Sequence, residues 1–224
     1  MKRMRGSSIH VICLVGLLAI KVLGQDEPKK INARPQPSPV PTAAAAKPEP
    51  FDNADIKTMA SRCVRFETEA GNIELELYPE QAPETVRNFL NLTALGLYDT
   101  TTFSRVVPGF VIQGGNLSTR EGVPSVEIAL RSRKTIPDEP NKIFHERGVL
   151  SMARSDEPHS ASTHFFILVS LAPDLDGKFA AFGRVTKGME VVDVINKGPV
   201  GGDRPEKPVR LKKAVVYPCG PATN

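Results

Sequence analysis

Alternating apolar and polar residues predict that the folded region begins with a β-hairpin. Residues 64–68 and 73–78 both alternate in character, and the segment Glu69-Ala-Gly-Asn72 between them reads as a turn. A period of two residues places side chains on opposite faces of a strand. The pattern therefore predicts that the hairpin has one apolar face, formed by Ile73, Leu75 and Leu77, and one solvent-facing side that carries glutamates.

Two other segments space their apolar residues as helices do. The first begins at Pro83, ends at Gly96 and has helical spacing at Val86, Phe89, Leu90 and Leu97. The second lies between Gly188 and Gly198 and contains Met189, Val192, Val194 and Ile195. Proline is tolerated in a first turn and glycine favours a helix end. The first stripe indicates core packing, and the second suggests a second helix.

The remaining apolar runs are short, and they predict an all-β architecture. They lie near residues 103–107, 110–113, 148–152, 165–169, 180–185 and 211–217, whereas residues 116–139 are polar and loop-like. Many short strands with only two helices favour a closed sheet, because closure removes exposed edges.

The N-terminal region carries the net charge of +4, because residues 1–24 contain four basic residues and no acid. The basic start and the short apolar run at 11–20 predict a secretory signal peptide. Ten residues cover roughly 15 Å, half the thickness of a bilayer core; an uncleaved membrane anchor is the alternative.

Residues 25–60 form a Pro/Ala-rich linker, either a spacer or a disordered leader. The domain spans 61–220 and a tail 221–224. The neutral remainder gives no reason to expect nucleic-acid binding.

Residues 101–116 concentrate the candidate chemistry. Two apolar runs flank a Pro108-Gly109 turn, with Arg105 in the first run and Gln113 ending the second. An apolar surface that carries one guanidinium and one amide predicts a pocket that holds an apolar group and forms hydrogen bonds to it. The two glycines after Gln113 allow another backbone to approach closely. No metal-ligand spacing, Ser-His-Asp set or Cys-His set emerges from the sequence.

Three sequence blocks resemble the cyclophilins, the cyclophilin-type peptidyl-prolyl cis-trans isomerases. The blocks are FSRVVPGFVIQGGN at 103–116, GVLSMAR with STHFFI at 148–167, and LDGKFAAFG at 175–183. They occur in the family's order, and the resemblance covers about residues 63–220. It implies a closed eight-stranded antiparallel barrel capped by two α-helices. It also implies isomerisation of X-Pro bonds without a cofactor or metal.

The resemblance assigns roles to individual residues. Arg105 matches the family's catalytic arginine. The positions that hold substrate are matched by Phe110, Val111, Gln113, Ala153, Arg154, His164, Phe166, Leu175 and Phe179. Plain core packing is the alternative for the apolar members, and a surface strand position is the alternative for Arg105.

Several positions depart from the family pattern. His164 stands where many cyclophilins have glutamine and could add pH dependence. Phe179 replaces a frequent histidine, and Asp174 replaces the tryptophan of cyclosporin-sensitive members, which predicts weak cyclosporin binding. The usual Gly-rich loop is here 117–134, with Arg120, Arg131, Arg133 and Lys134. A solvated charged loop is favoured over a basic rim that selects acidic residues before proline.

Cys63 precedes the first strand and Cys219 follows the last. Because the resemblance implies that these strands pair, and export implies an oxidising compartment, we expect a disulfide; two unpaired buried thiols are the alternative.

We expect an exported, periplasmic monomer without stable membrane insertion after signal cleavage, or else a membrane-anchored form. Its partners would be proline-containing polypeptides in extended or partly folded form, whose folding it assists. A non-catalytic Pro-peptide-binding module or chaperone on the same fold is the alternative function.

Overall fold

The computed structural model describes residues 48–123 and 125–220. The predicted signal at 1–24, the linker up to residue 47 and the tail at 221–224 lie outside these ranges. Within the described residues, no helix is both long and apolar enough to cross a membrane.

Eight antiparallel strands form one curled sheet in the order β10-β1-β2-β7-β5-β6-β4-β3. Their bounds are β1 Arg62–Thr68, β2 Gly71–Leu77, β3 Arg105–Val107, β4 Val111–Gly114, β5 Val149–Met152, β6 Phe165–Leu168, β7 Ala181–Lys187 and β10 Leu211–Pro218. A separate small hairpin pairs β8 Val200–Gly201 with β9 Arg204–Pro205. The predicted hairpin is confirmed as β1–β2, with Ile73 and Leu75 buried on one face.

The sheet is not closed by a continuous ladder, which differs from the predicted barrel. The edge strands β3 and β10 meet only at one isolated bridge between Thr102 and Arg210, just outside both strands. Backbone bonds from Phe103 N–H to the carbonyl of Val209 and from Leu211 N–H to that of Thr101 flank the bridge. Strand β3 pairs with β4, and the N–H of Val106 on β3 donates to the carbonyl of Asp203 in the β8–β9 hairpin at 2.8 Å, so the hairpin takes the place that a ladder with β10 would need.

The two predicted helices are present as α2 Pro83–Ala94 and α4 Met189–Asn196, and two short helices are added, α1 Ile56–Ala60 and α3 Val126–Ser132. Single 3-10 turns lie at Leu117–Thr119 and Pro173–Leu175. At the end of α2, Gly96 adopts φ 65° and its N–H bonds to the carbonyl of Thr93, while the N–H of Leu97 bonds to that of Leu92. This is a Schellman motif, so Leu97 lies beyond the helix rather than in its stripe.

The ordered domain extends N-terminally of the predicted start at Ser61. Residues 48–60 contain α1 and pack on α2: the N–H of Phe51 donates to the side chain of Asn91 at 2.7 Å, and Arg87 donates to the carbonyls of Phe51 and Ala54. The 116–139 segment likewise contains α3, where a loop was predicted. Helix α3 is only seven residues long and fully buries none of its residues, although Ile128 packs against the core, so it is too short to show the repeated spacing by which helices are predicted.

Buried aromatic residues fill the inside of the curled sheet. The ring of Phe165 lies 5.3 Å from that of Phe66, 5.7 Å from Phe89 and 5.4 Å from Tyr98. A second, smaller apolar cluster lies on the other face of β4, β5 and β6 and includes Val111, Phe166 and Leu168. Strand alternation separates the two clusters, because successive side chains point to opposite faces.

The predicted disulfide is present between Cys63 and Cys219, whose Cα atoms lie 5.0 Å apart. Strand β1 pairs with β10 from Arg62 opposite Pro218 onward, which brings the two cysteines to the same end of the strand pair.

Candidate functional site

A row of three side chains crosses neighbouring strands on the outer face of the sheet. Gln113 on β4 lies opposite Arg105 on β3 and opposite Phe166 on β6. The tight turn at 108–110, in which Gly109 adopts φ 74°, fixes the register of β3 and β4. Antiparallel register therefore aligns a guanidinium, an amide and an aromatic ring side by side.

This row forms part of a cavity of about 170 Å³. The cavity is lined by nine of the ten residues to which the family resemblance assigned catalysis or substrate binding: Arg105, Phe110, Val111, Gln113, Ala153, Arg154, Phe166, Leu175 and Phe179. It is smaller than the ~300 Å³ at which pockets for drug-sized ligands begin, so it suits a single side chain or small ring.

Aromatic and aliphatic side chains form the walls of the cavity. Phe166 and Phe179 meet edge to face with their ring centroids 6.0 Å apart. The guanidinium of Arg154 stacks over the ring of Phe179 at 5.3 Å, and its Nη1 donates to the carbonyl of Ser155. Leu175 ends the 3-10 turn that starts at Pro173. These contacts fix the positions of the cavity walls relative to one another.

Arg105 receives two side-chain partners. Its Nη1 donates to Oε1 of Gln113 at 3.4 Å, and its Nε donates to Oδ2 of Asp203 at 2.8 Å. Asp203 lies in the turn between β8 and β9, 98 residues further along the chain. Sequence reasoning missed Asp203, because no local pattern or motif connects that turn with the Arg105 strand.

A Ser-His-Asp chain lies behind the aromatic wall, where His145 stacks on Phe166, although none was predicted; His145 and Ser151 are buried, whereas the side chain of Asp176 is 27% exposed. Nδ1 of His145 lies 3.0 Å from Oδ1 of Asp176, and Nε2 lies 3.0 Å from Oγ of Ser151. The backbone N–H of His145 also donates to Asp176 and lowers the pKa of that carboxyl. Ser151 is fully buried and donates to the carbonyl of Ala180, so the chain supports the cavity instead of presenting a nucleophile.

His164 is the one predicted substrate-binding residue that does not line the cavity. It precedes β6, and its carbonyl accepts the N–H of Ala153, so its backbone helps to position that lining residue. Burial lowers the pKa of the His164 imidazole. The close approach expected at the glycine pair is confirmed: Gly115, at φ 83°, lies against the carbonyl of Thr163, where a Cβ atom would overlap.

None of the four basic residues of the charged loop at 117–134 lines the cavity. Nη1 of Arg120 donates to the carbonyls of Gly96 and Leu97 at the end of α2. Arg131 forms a two-pronged ion pair with Glu49. These contacts direct both guanidinium groups into the fold. Asp174 is exposed and does not line the cavity.

Within residues 48–123 and 125–220, no group of three histidine, cysteine, aspartate or glutamate residues is arranged to hold a metal ion. The lining of the cavity itself offers hydrogen-bond donors and acceptors from Arg105 and Gln113 and apolar surface from Phe110, Val111, Phe166, Leu175 and Phe179, an arrangement suited to binding a small apolar group beside a guanidinium.

Comparison with known proteins points to one family. Residues 63–216 match the family described as "Cyclophilin type peptidyl-prolyl cis-trans isomerase/CLD". The chain is 38% identical over 164 residues to peptidyl-prolyl cis-trans isomerase A of Dickeya dadantii, covering 68% of this chain and 83% of that one. It is 39% identical over 142 residues to peptidyl-prolyl cis-trans isomerase CYP23 of Arabidopsis thaliana, covering 63% of each.

A solved structure has the same fold. The crystal structure of a Cryptosporidium parvum cyclophilin-type peptidyl-prolyl cis-trans isomerase, determined in the presence of the dipeptide Ala-Pro, superimposes with a TM-score of 0.61 at 31% identity. The match covers 69% of this chain and 98% of that structure.

Proposed function

The chain belongs to the cyclophilin-type peptidyl-prolyl cis-trans isomerases, and we propose that it performs this reaction in the cavity between Arg105 and Phe166. The observation that carries the proposal is the aligned row of Arg105, Gln113 and Phe166, which sets a guanidinium and an amide beside an apolar cavity. A proline ring is a small apolar group attached to the amide that must rotate, and so it matches both parts of this site.

The barrier to rotation comes from amide resonance and is about 18–20 kcal/mol. Lowering it requires that the twisted amide be bound more tightly than the planar one. Phe166, Phe179 and Leu175 would hold the proline ring and fix one side of the rotating bond. The residue before proline can then turn relative to a stationary ring.

Arg105 would supply the difference in binding. As the amide twists, the lone pair of its nitrogen localises and becomes a hydrogen-bond acceptor. The guanidinium uses its Nε–H and one Nη1–H on protein partners, and its remaining N–H groups are available for that lone pair. A donor positioned in advance stabilises the charge that develops in the transition state without costly reorganisation.

Gln113 and the backbone next to Ala153 would hold the peptide on either side of the proline. Oε1 of Gln113 accepts from Arg105, which leaves the NH₂ group of its amide free for a substrate carbonyl. Arg154, stacked on Phe179, offers further donors at the rim. The substrate would be a proline-containing peptide in extended form, with no cofactor.

We also propose that the substrates are exported proteins whose folding the enzyme assists as a periplasmic monomer. The disulfide between Cys63 and Cys219 supports an oxidising compartment. The basic and apolar pattern of residues 1–24 supports an export signal. Slow X-Pro isomerisation limits folding for tens of seconds, which gives such an enzyme a task.

A protease-coupled isomerisation assay on short Ala-Pro and Glu-Pro peptides tests the proposal, using the full chain and an Arg105→Ala variant. We expect the variant to lose activity by about 10²–10³-fold, as for other single donors to a developing charge. Unchanged circular dichroism would show that the fold is intact. Equal activity in both proteins would refute the role of Arg105. Peptide binding without isomerisation in either would favour the binding-module alternative.

A further inference from the structure

The small β8–β9 hairpin lies against the strand that carries Arg105. The N–H of Val106 donates to the backbone carbonyl of Asp203 at 2.8 Å, and Nε of Arg105 donates to the side chain of the same residue at 2.8 Å. One residue therefore binds the β3 backbone and the neighbouring guanidinium at once. Gly202, at φ 71°, forms the two-residue turn that directs Asp203 toward β3.

The contact reaches Arg105 from outside the cavity. Asp203 is absent from the cavity lining, whereas Arg105 and Gln113 both line it. Nε–H points along one edge of the planar guanidinium, so a carboxylate held at that edge fixes the rotation of the whole plane. Gln113 binds Nη1 at the longer distance of 3.4 Å, which makes Asp203 the closer of the two partners.

We infer that Asp203 is a positioning residue of this isomerase, whose carboxylate holds the guanidinium of Arg105 in the orientation that meets the twisted amide. The inference rests on the proposed role of Arg105. The side chain of Arg105 is 42% exposed, and a long flexible side chain at such a position would otherwise sample several rotamers. Asp203 restricts it before substrate arrives.

The contact contributes little to folding, which makes the inference testable. The side chain of Asp203 is 59% exposed, and ion pairs between exposed groups are screened by water and salt. Replacing the carboxylate should therefore leave the fold intact and change only the population of productive Arg105 conformers. The effect should appear in kcat rather than in KM, because the apolar walls that bind the proline ring remain.

A double-mutant cycle on the full chain provides the test, with kcat and KM measured in the protease-coupled assay across a range of Ala-Pro peptide concentrations. We expect Asp203→Ala to lower kcat by about ten-fold with KM changed less than about two-fold, less than the roughly 10²-fold loss that a 1 Å misplacement can cause, because Gln113 still contacts the guanidinium. Glu206→Gln is the matched control. It removes a charge next to the same hairpin, and within the described residues the Glu206 side chain has no hydrogen bond or ion pair.

The decisive comparison is Asp203→Ala in an Arg105→Ala background. If Asp203 acts through Arg105, the second substitution causes no further loss there. An equal loss in both backgrounds would show a merely structural role, and no loss in the wild-type background would overturn the inference outright. If Arg105→Ala itself retains full activity, the proposed role of Arg105 fails, and the inference fails with it for that separate reason.

Discussion

Removing the Cys63–Cys219 disulfide should lower the free energy of unfolding by an amount that depends on the number of residues between the two cysteines. The bond joins residues 156 positions apart, so it encloses most of the domain in one covalent loop. Chain-entropy reasoning assigns such a loop about 5 kcal/mol at 25 °C, because the cross-link restricts the unfolded ensemble. Measured values are often smaller, and we expect about 2–5 kcal/mol.

The folded state itself should change little. Strands β1 and β10 pair from Arg62 to Thr68, and the N–H of Cys219 donates to the carbonyl of Ser61 at 2.9 Å, so backbone hydrogen bonds hold both ends together without the bond. For a domain of this size, the expected loss corresponds to a decrease in Tm of about 4–20 °C.

The measurement is urea unfolding of two proteins. The first is a Cys13→Ser chain, in which Cys63 and Cys219 are the only cysteines. The second also carries Cys63→Ala and Cys219→Ala. Circular dichroism and tyrosine fluorescence should report coincident transitions. Reduced Cys13→Ser protein provides the matched control for the two alanine side chains. A difference below about 1 kcal/mol between oxidised and reduced protein would refute the unfolded-state argument.

Three further outcomes are expected. Gly115→Ala should destabilise the domain by at least about 1–3 kcal/mol in urea unfolding, since a Cβ there overlaps the carbonyl of Thr163 at a positive φ; wild-type stability would contradict the close approach. Glu139→Ala should cost about 1 kcal/mol, because its carboxylate accepts two N–H groups of the first turn of α2; Glu139→Gln should recover part of that, and an alanine variant as stable as wild type would argue against the cap. Burial lowers the pKa of His164, so charging it disfavours the folded state and stability should fall as pH decreases below about 6.5. His164→Gln should reduce this slope when unfolding is compared at pH 7.5 and 5.5, and an unchanged slope would contradict the burial argument.

Local patterns alone were enough to predict several elements. The alternation in residues 64–78 predicted the β1–β2 hairpin, and the spacing before Gly96 predicted α2. Both depend on interactions within a few residues, such as strand alternation and the left-handed conformation that glycine adopts after a helix. Helix α3 was missed because it is only seven residues long, so its apolar residues span too few turns to show a helical period.

For the site, the motifs were enough to identify the lining residues but not their surroundings. Alternation requires that Phe165 and Phe166 point to opposite faces, yet it cannot say which face is the core. The structure places Phe165 among the buried aromatics and Phe166 at the cavity.

Only the tertiary structure brought distant residues to functional positions. Asp203 reaches Arg105 across 98 positions, and Glu139 caps α2 from 54 and 55 positions away. Whether the edge strands β3 and β10 pair likewise depends on how far the whole sheet curls. The structure has one isolated bridge between them, where a closed ladder was predicted. Contacts of this kind depend on loop lengths and on the packing of every intervening element. Residues close in sequence determine local conformation, whereas the lengths and packing of all intervening segments determine which residues distant in sequence come into contact.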